Sequence, residues 1–380
     1  MAIEIKTSAA DTASINNEML FVVYESTKAN DPVTYPDYSY VCDVYVDSTL
    51  VERLIARPDP TYKMGIFDIS KALQPYATYG LNLANSQIDY NARVSYRLKF
   101  GEQYDGVLYT NITVDSSDRY AFKSYIQRPF SSNSNSLTNG ILSNRPSVTK
   151  YHRDQVYNLL PIFSNVSGIT DYSLKEYNSS GGLLSTTSIN MGGYVENTIR
   201  QFNLFGLVTI NSSASYLEIL DGGSNLRHRV DLLCETKYPA HTIVWCNRYG
   251  AYESQSFGLV SKKTIETQRK TYARTPWEIN ASGTITYESN DVFYGSRRGF
   301  STITNTKLLM TSHLLTGDEY EWLSDMFRSP EVYLYLVELG KMLPVIVSEI
   351  GYEYRTYANS RLTPLQITVE FSDMYNSQFL

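Results

Sequence analysis

The chain has 380 residues, 42% of them hydrophobic, and a formal net charge of −6. That length exceeds one ordinary domain and supplies apolar side chains for two or three cores. The mild acidity argues against a nucleic-acid binder with a basic face, although a weakly acidic wall would still let DNA slide past it.

Tyrosine is the compositional outlier, at 33 residues beside 3 tryptophans and 4 histidines. It favours strands and wet protein contacts, because an apolar ring carries a polar tip. Such surfaces also serve carbohydrate binders, but sheet and assembly contacts are the expectation here. Cys42, Cys234 and Cys246 lie in strand-like surroundings and read as buried reduced thiols. The N-terminus lacks a basic region followed by an apolar one, so no signal peptide is expected and synthesis in cytoplasm is. No stretch approaches the ~18 apolar residues of a membrane span.

In chain order, residues 1–17 read as an arm or first edge strand, and Met19–Tyr24 as a strand. Tyr38–Val46 alternates and Leu50–Ala56 returns, followed by Arg57-Pro-Asp-Pro60 as a turn. Gln87–Phe100 and Gly106–Val114 supply further strands. Short strands with turns every eight to twelve residues predict an immunoglobulin- or fibronectin-like sandwich over 1–125. Residues 126–150 hold a Ser/Asn-rich run and read as a polar linker, or as an arm that orders against a neighbouring subunit. A middle sandwich follows over 151–238, with hairpin turns at Asn178–Gly182 and Asp221–Gly223.

The last unit, 239–380, is predicted as an antiparallel sheet with one short helix. Thr316 and Glu319 form a capping box, Leu315 and Tyr320 a hydrophobic staple, and Ser329-Pro330 a stop, which defines a helix over 317–328. Trp322, Leu323, Met326 and Phe327 share its apolar side. Leu365, Ile367, Val369 and Phe371 alternate with Gln366, Thr368 and Glu370, the pattern of a strand with one wet face. The whole is therefore expected to be mainly β: tandem sandwich modules followed by the helix-bearing sheet.

Catalytic constellations are sparse. Asp318, Glu319 and Glu321 sit in a first helical turn, where carboxylates complement the dipole. His241 and His313 have no second ligand at metal spacing, and no GxSxG, Walker A or CxxC occurs. No catalytic residue, metal or cofactor is expected. Six residues stand out as interface candidates. Arg227-His228-Arg229 is a basic spot suited to phosphate or a partner's carboxylate. Lys262, Lys263, Arg269, Lys270 and Arg274, interleaved with Tyr272, form the one basic run and read as a solvated strand face or loop, with DNA contact as the alternative. Trp277 is the exposed tryptophan candidate.

Two groups of residues carry a family resemblance. Tyr38–Asp47, Leu54–Pro60 and Gly65–Ser70 resemble the N-terminal module of virion proteins from phages of Bacteroidetes. Ile243–Glu253, Glu321–Tyr333 and Leu343–Val347 resemble tail or neck proteins of crAss-like phages, including the ring proteins of the tail barrel. The matching pieces cover about a third of the chain and none of the middle unit. The resemblance implies a non-enzymatic virion component: a tail or neck ring or connector subunit, homo-oligomeric, stacked on neighbouring tail proteins around the genomic DNA channel. The alternative is a carbohydrate-binding or host-adhesion protein of the baseplate or distal tail, for which Trp277 would supply the sugar platform; a hydrolase is the weakest reading, since no paired catalytic residues are in view.

Overall fold

The computed structural model describes residues 3–84, 86–115, 118–126, 136–164, 171–189, 196–237, 240–337, 339–348, 362–372 and 375–376. The protein is mainly β, and three hydrophobic clusters, within Ile3–Ala121, Tyr151–Val230 and Ile243–Val369, group its main sheets into units that smaller clusters join. In the first unit a three-stranded sheet (Glu4–Thr7, Leu20–Tyr24, Met64–Asp68) faces a six-stranded one centred on Ser39–Val46 and Arg93–Tyr104. Phe21, Val23 and Phe67 from the small sheet meet Cys42, Val44, Leu98 and Phe100 from the large one. The N-terminal residues belong to this sandwich: Ile3, Ala13 and Ile15 are buried in it, and Thr12–Ser14 runs parallel to Arg119–Phe122.

The middle unit pairs a four-stranded with a five-stranded sheet over Tyr151, Leu160, Ile162, Leu174, Leu217 and Val230. Both expected turns are present. Asn178 Oδ1 accepts from the Gly182 N–H at 2.7 Å, and Asp221 Oδ1 accepts from the Gly223 and Asn225 N–H groups, both at 2.9 Å. The expected border at 125 is crossed, however. Ser86–Asp89 leaves the first unit to pair with Thr198–Asn203, covering a strand edge that would otherwise be open.

In the third unit, Tyr252–Phe257, His241–Cys246, Val332–Leu336, Lys341–Val347, Thr363–Phe371, Arg297–Leu315 and Ser261–Ala273 form one sheet in that order. The helix Gly317–Arg328 has the capping box its sequence predicts. Thr316 Oγ1 accepts from the Glu319 N–H at 3.3 Å, and Glu319 Oε2 accepts from the Thr316 N–H at 2.7 Å. Trp322, Leu323 and Met326 pack on Trp245, Leu334, Ile367 and Val369. The alternation of the last strand is as expected, with Leu365, Ile367 and Val369 buried.

The polar segment 126–150 differs most from expectation. Residues 127–135 lie outside the described residues, as does the expected border at Tyr238, but 136–150 is built into the protein. Leu137 and Leu142 are buried, Gly140–Ile141 pairs with Leu159–Ser164, and Val148–His152 runs parallel to Leu226–Leu233. Arg145 enters the interior to meet Glu253, both side chains at most 2% exposed. Asn144 Nδ2 donates to Asp325 Oδ2 at 3.2 Å, and the same carboxylate takes Arg248 Nε at 2.9 Å. Short polar side chains here bind neighbouring sheets to the helix, so the described part is a structural strap and no removable arm.

Candidate assembly interface

Ser261–Ala273 and Arg297–Leu315 pair antiparallel from Ser261↔Met310 to Ala273↔Arg297, with one irregularity between Lys270 and Thr271. Thr363–Phe371 supports the inner part of this ribbon, and Tyr375–Asn376 reaches Thr304 and Ile303. Farther out, Arg269–Ala273 and Arg297–Thr302 have no third strand among the described residues. All 13 residues of Ser261–Ala273 are exposed. Thr, Ile and Tyr favour the extended backbone, but neither face of the outer ribbon meets a core. A two-stranded ribbon on its own is marginally stable in water, so this one is suited to a partner surface.

The basic run is therefore a solvated strand, as its sequence suggested. Over 261–307 eight basic residues face four acidic ones, a net of +4 in a chain of −6. Lys307 joins the strands at the root, with its ammonium 2.9 Å from Glu266 and 3.1 Å from Glu370. Hydrogen bonds from Asn305 and Lys307 hold the Glu370 carboxyl below its usual range. Along the edge, Lys262, Lys263, Arg269 and Lys270 do what edge lysines and arginines commonly do. They discourage another strand from pairing sideways.

Tyr272, Arg274 and Trp277 all lie toward the outer end of the ribbon, each with its own surroundings. Tyr272 is exposed and its ring lies 6.3 Å from that of Phe300. Arg274 Nη2 is 3.4 Å from Glu278 Oε1 and its guanidinium 5.4 Å from the Tyr294 ring, while Tyr294 OH donates to Glu278 Oε2 at 2.9 Å. Trp277 is half-buried rather than exposed, and Trp245 and Trp322 are in the core.

The other three candidates do not form one patch. They sit in the strand Leu226–Leu233, whose alternation sends His228 inward and its neighbours outward. Arg227 Nη2 pairs with Asp221 at 2.6 Å; Arg229 Nε pairs with Asp231 at 2.7 Å, its guanidinium 3.8 Å over the Tyr216 ring. His228 Nε2 lies 2.9 Å from Thr149 Oγ1 in the interior. Burial, and then the nearby Arg145 charge, hold its imidazole well below the usual range. The unfolded chain, with its histidine near 6.5, thus takes up the proton first. Stability is unaffected above that pH and falls below it, by up to about 1.4 kcal/mol per pH unit. Thermal unfolding scans from about pH 7.5 to 5 should show this decline, and His228→Gln should flatten it.

Two further clusters deserve a chemical reading. Tyr35, Tyr104 and Tyr109 surround the Lys28 ammonium at 5.7, 5.0 and 5.9 Å. This is an aromatic cage filled by the protein's own cation, which also pairs with Glu102. A cleft of about 490 Å³ between the first unit and the helix end is lined by Asn16, Tyr79, Cys246, Arg248 and Asp325. Burial, and then the Glu331 carboxylate, push the Cys246 thiol well up, which keeps it protonated and unreactive. Cys42 is buried too, whereas Cys234 is exposed, contrary to expectation, just beyond the strand Leu226–Leu233.

Among the described residues no three His, Cys, Asp or Glu side chains come together as a metal cluster, and no helix is long and apolar enough to cross a membrane. No family model matches the sequence, and no curated protein matches it.

Proposed function

We propose that this protein is a non-enzymatic structural subunit of a bacteriophage virion, a tail or neck ring or connector component that oligomerises around the DNA channel. The observation that carries the reading is the long ribbon, which projects from a well-packed body with both outer faces in water. Selection for solubility alone would shorten or bury such an element. A repeated subunit uses it to reach its neighbour, and head-to-tail contacts of this kind close rings. The resemblance of Ile243–Glu253 and Glu321–Tyr333 to tail proteins of crAss-like phages supports the same reading. So does the low overall charge, which suits a wall that DNA passes without sticking.

The test is the mass of the purified full chain by light scattering at low and high concentration. A single multiple of the 43.2 kDa subunit at high concentration supports a closed ring. A monomer at every concentration removes self-assembly from the account.

A further inference from the structure

We propose that the ribbon tip of one copy seats in the apolar cleft at the ribbon root of the next copy. The inference rests on the ring reading above and names the contact that would close it.

The tip is a preformed apolar knob. Glu278–Ile279 pairs with Ile285–Thr286, and Glu288–Ser289 with Val292–Phe293. Asn290 and Asp291 have φ of 52° and 62°, the left-handed pair that a tight two-residue hairpin turn requires and that Asn and Asp tolerate. Phe293 is 76% exposed and Val292 63%. With Ile279, Ile285 and Tyr287 also exposed, the tip groups apolar side chains closely enough to suit a contact site.

The cleft has a volume of about 640 Å³ and is lined by Phe257, Leu259, Val260, Leu308, Val337 and Phe371. That falls within the ~300–1,000 Å³ of pockets that enclose compact ligands. Val260 is 66% exposed at its mouth. Lys263 belongs to the same lining, its ammonium 5.9 Å from the Phe371 ring. The tip brings Glu288 and Asp291 beside its apolar residues, so cation meets carboxylate around an apolar centre, as in protein interfaces generally.

Geometry makes the contact intermolecular. The 13-residue strand Ser261–Ala273 spans roughly 40 Å at about 3.3 Å per residue, and a paired ribbon of that length does not fold back on its own root. Tip and cleft are different surfaces of one chain, so the interface is heterologous and each copy supplies one half to each neighbour. The basic edge of the ribbon disfavours side-on strand pairing, which leaves the tip as the adhesive part.

Two exposed positions test this in the full chain: Phe293→Ser at the tip and Val260→Asp at the cleft mouth, where a new carboxylate would repel Glu288 and Asp291. Both variants should keep the wild-type unfolding midpoint. Each alone should need at least about thirty-fold more protein to assemble, the size of a lost hot spot. Mixed together they should give a heterodimer and nothing larger, because the sound tip of one meets the sound cleft of the other. Wild-type assembly matched by both variants would overturn the tip-and-cleft contact and leave the ring reading standing. Loss of assembly in both with no heterodimer on mixing would also overturn it. A monomeric wild type would overturn the ring reading, and this contact with it.

Discussion

Arg145→Met should lower the unfolding free energy by about 3–5 kcal/mol, the usual effect of removing one partner from a buried ion pair. Glu253 is fully buried. Its Oε1 accepts from Arg145 Nε at 3.2 Å and Nη2 at 3.1 Å and from Ser143 Oγ, and its Oε2 accepts from Trp322 Nε1 at 3.0 Å. Arg145 Nη2 also reaches the Leu159 carbonyl at 2.6 Å. Removing the guanidinium leaves a carboxylate in the interior with two neutral donors and no counter-charge. Adding Glu253→Gln to that variant should recover part of the loss, since the amide oxygen still accepts from Trp322 while the charge is gone. Urea unfolding of the two singles and the double measures the coupling. A loss under about 1 kcal/mol in Arg145→Met, the range of exposed pairs, would contradict the buried network.

Trp322→Ala should cost about 3–5 kcal/mol, as expected for a large aromatic removed from a core. Trp322 is 1% exposed, and its ring centroid lies 5.3 Å from that of Trp245. The Arg145 guanidinium sits 5.4 Å from the same ring. The substitution opens a cavity where helix and sheet meet, and it also takes the indole N–H from Glu253. Trp277→Ala, half-buried on the ribbon, should cost less than about 1 kcal/mol. Chemical denaturation of both variants checks the contrast, and equal losses would contradict the assignment of Trp322 to the core.

What the sequence reveals follows from where water is excluded. The helix at 317–328 is legible because its cap, staple and stop are local. Leu365–Phe371 is legible because one face is buried and the other wet. The ribbon is much less so. Ser261–Ala273 has no buried face and hence no alternation to read, and Arg297–Leu315 begins with a polar stretch for the same reason. Arg145 is hidden for another reason. It follows a Ser/Asn-rich run that resembles a linker, and only its meeting with Glu253, 108 residues away, explains its burial. The spot at Arg227–Arg229 misleads because charge clustering in sequence is undone by strand alternation, which sends His228 inside. Ser86–Asp89 departs for the middle sheet through a long-range pairing that no local pattern marks.

The measurement that bears most directly on the ring reading is negative-stain imaging of the concentrated full chain, beside a chain whose tip residues 278–293 are replaced by a short Gly-Ser turn. The account predicts closed rings of one symmetry with a central opening for the full chain and single particles for the shortened one. Identical rings for both would overturn the tip contact alone, whereas single particles for both would contradict the ring reading itself.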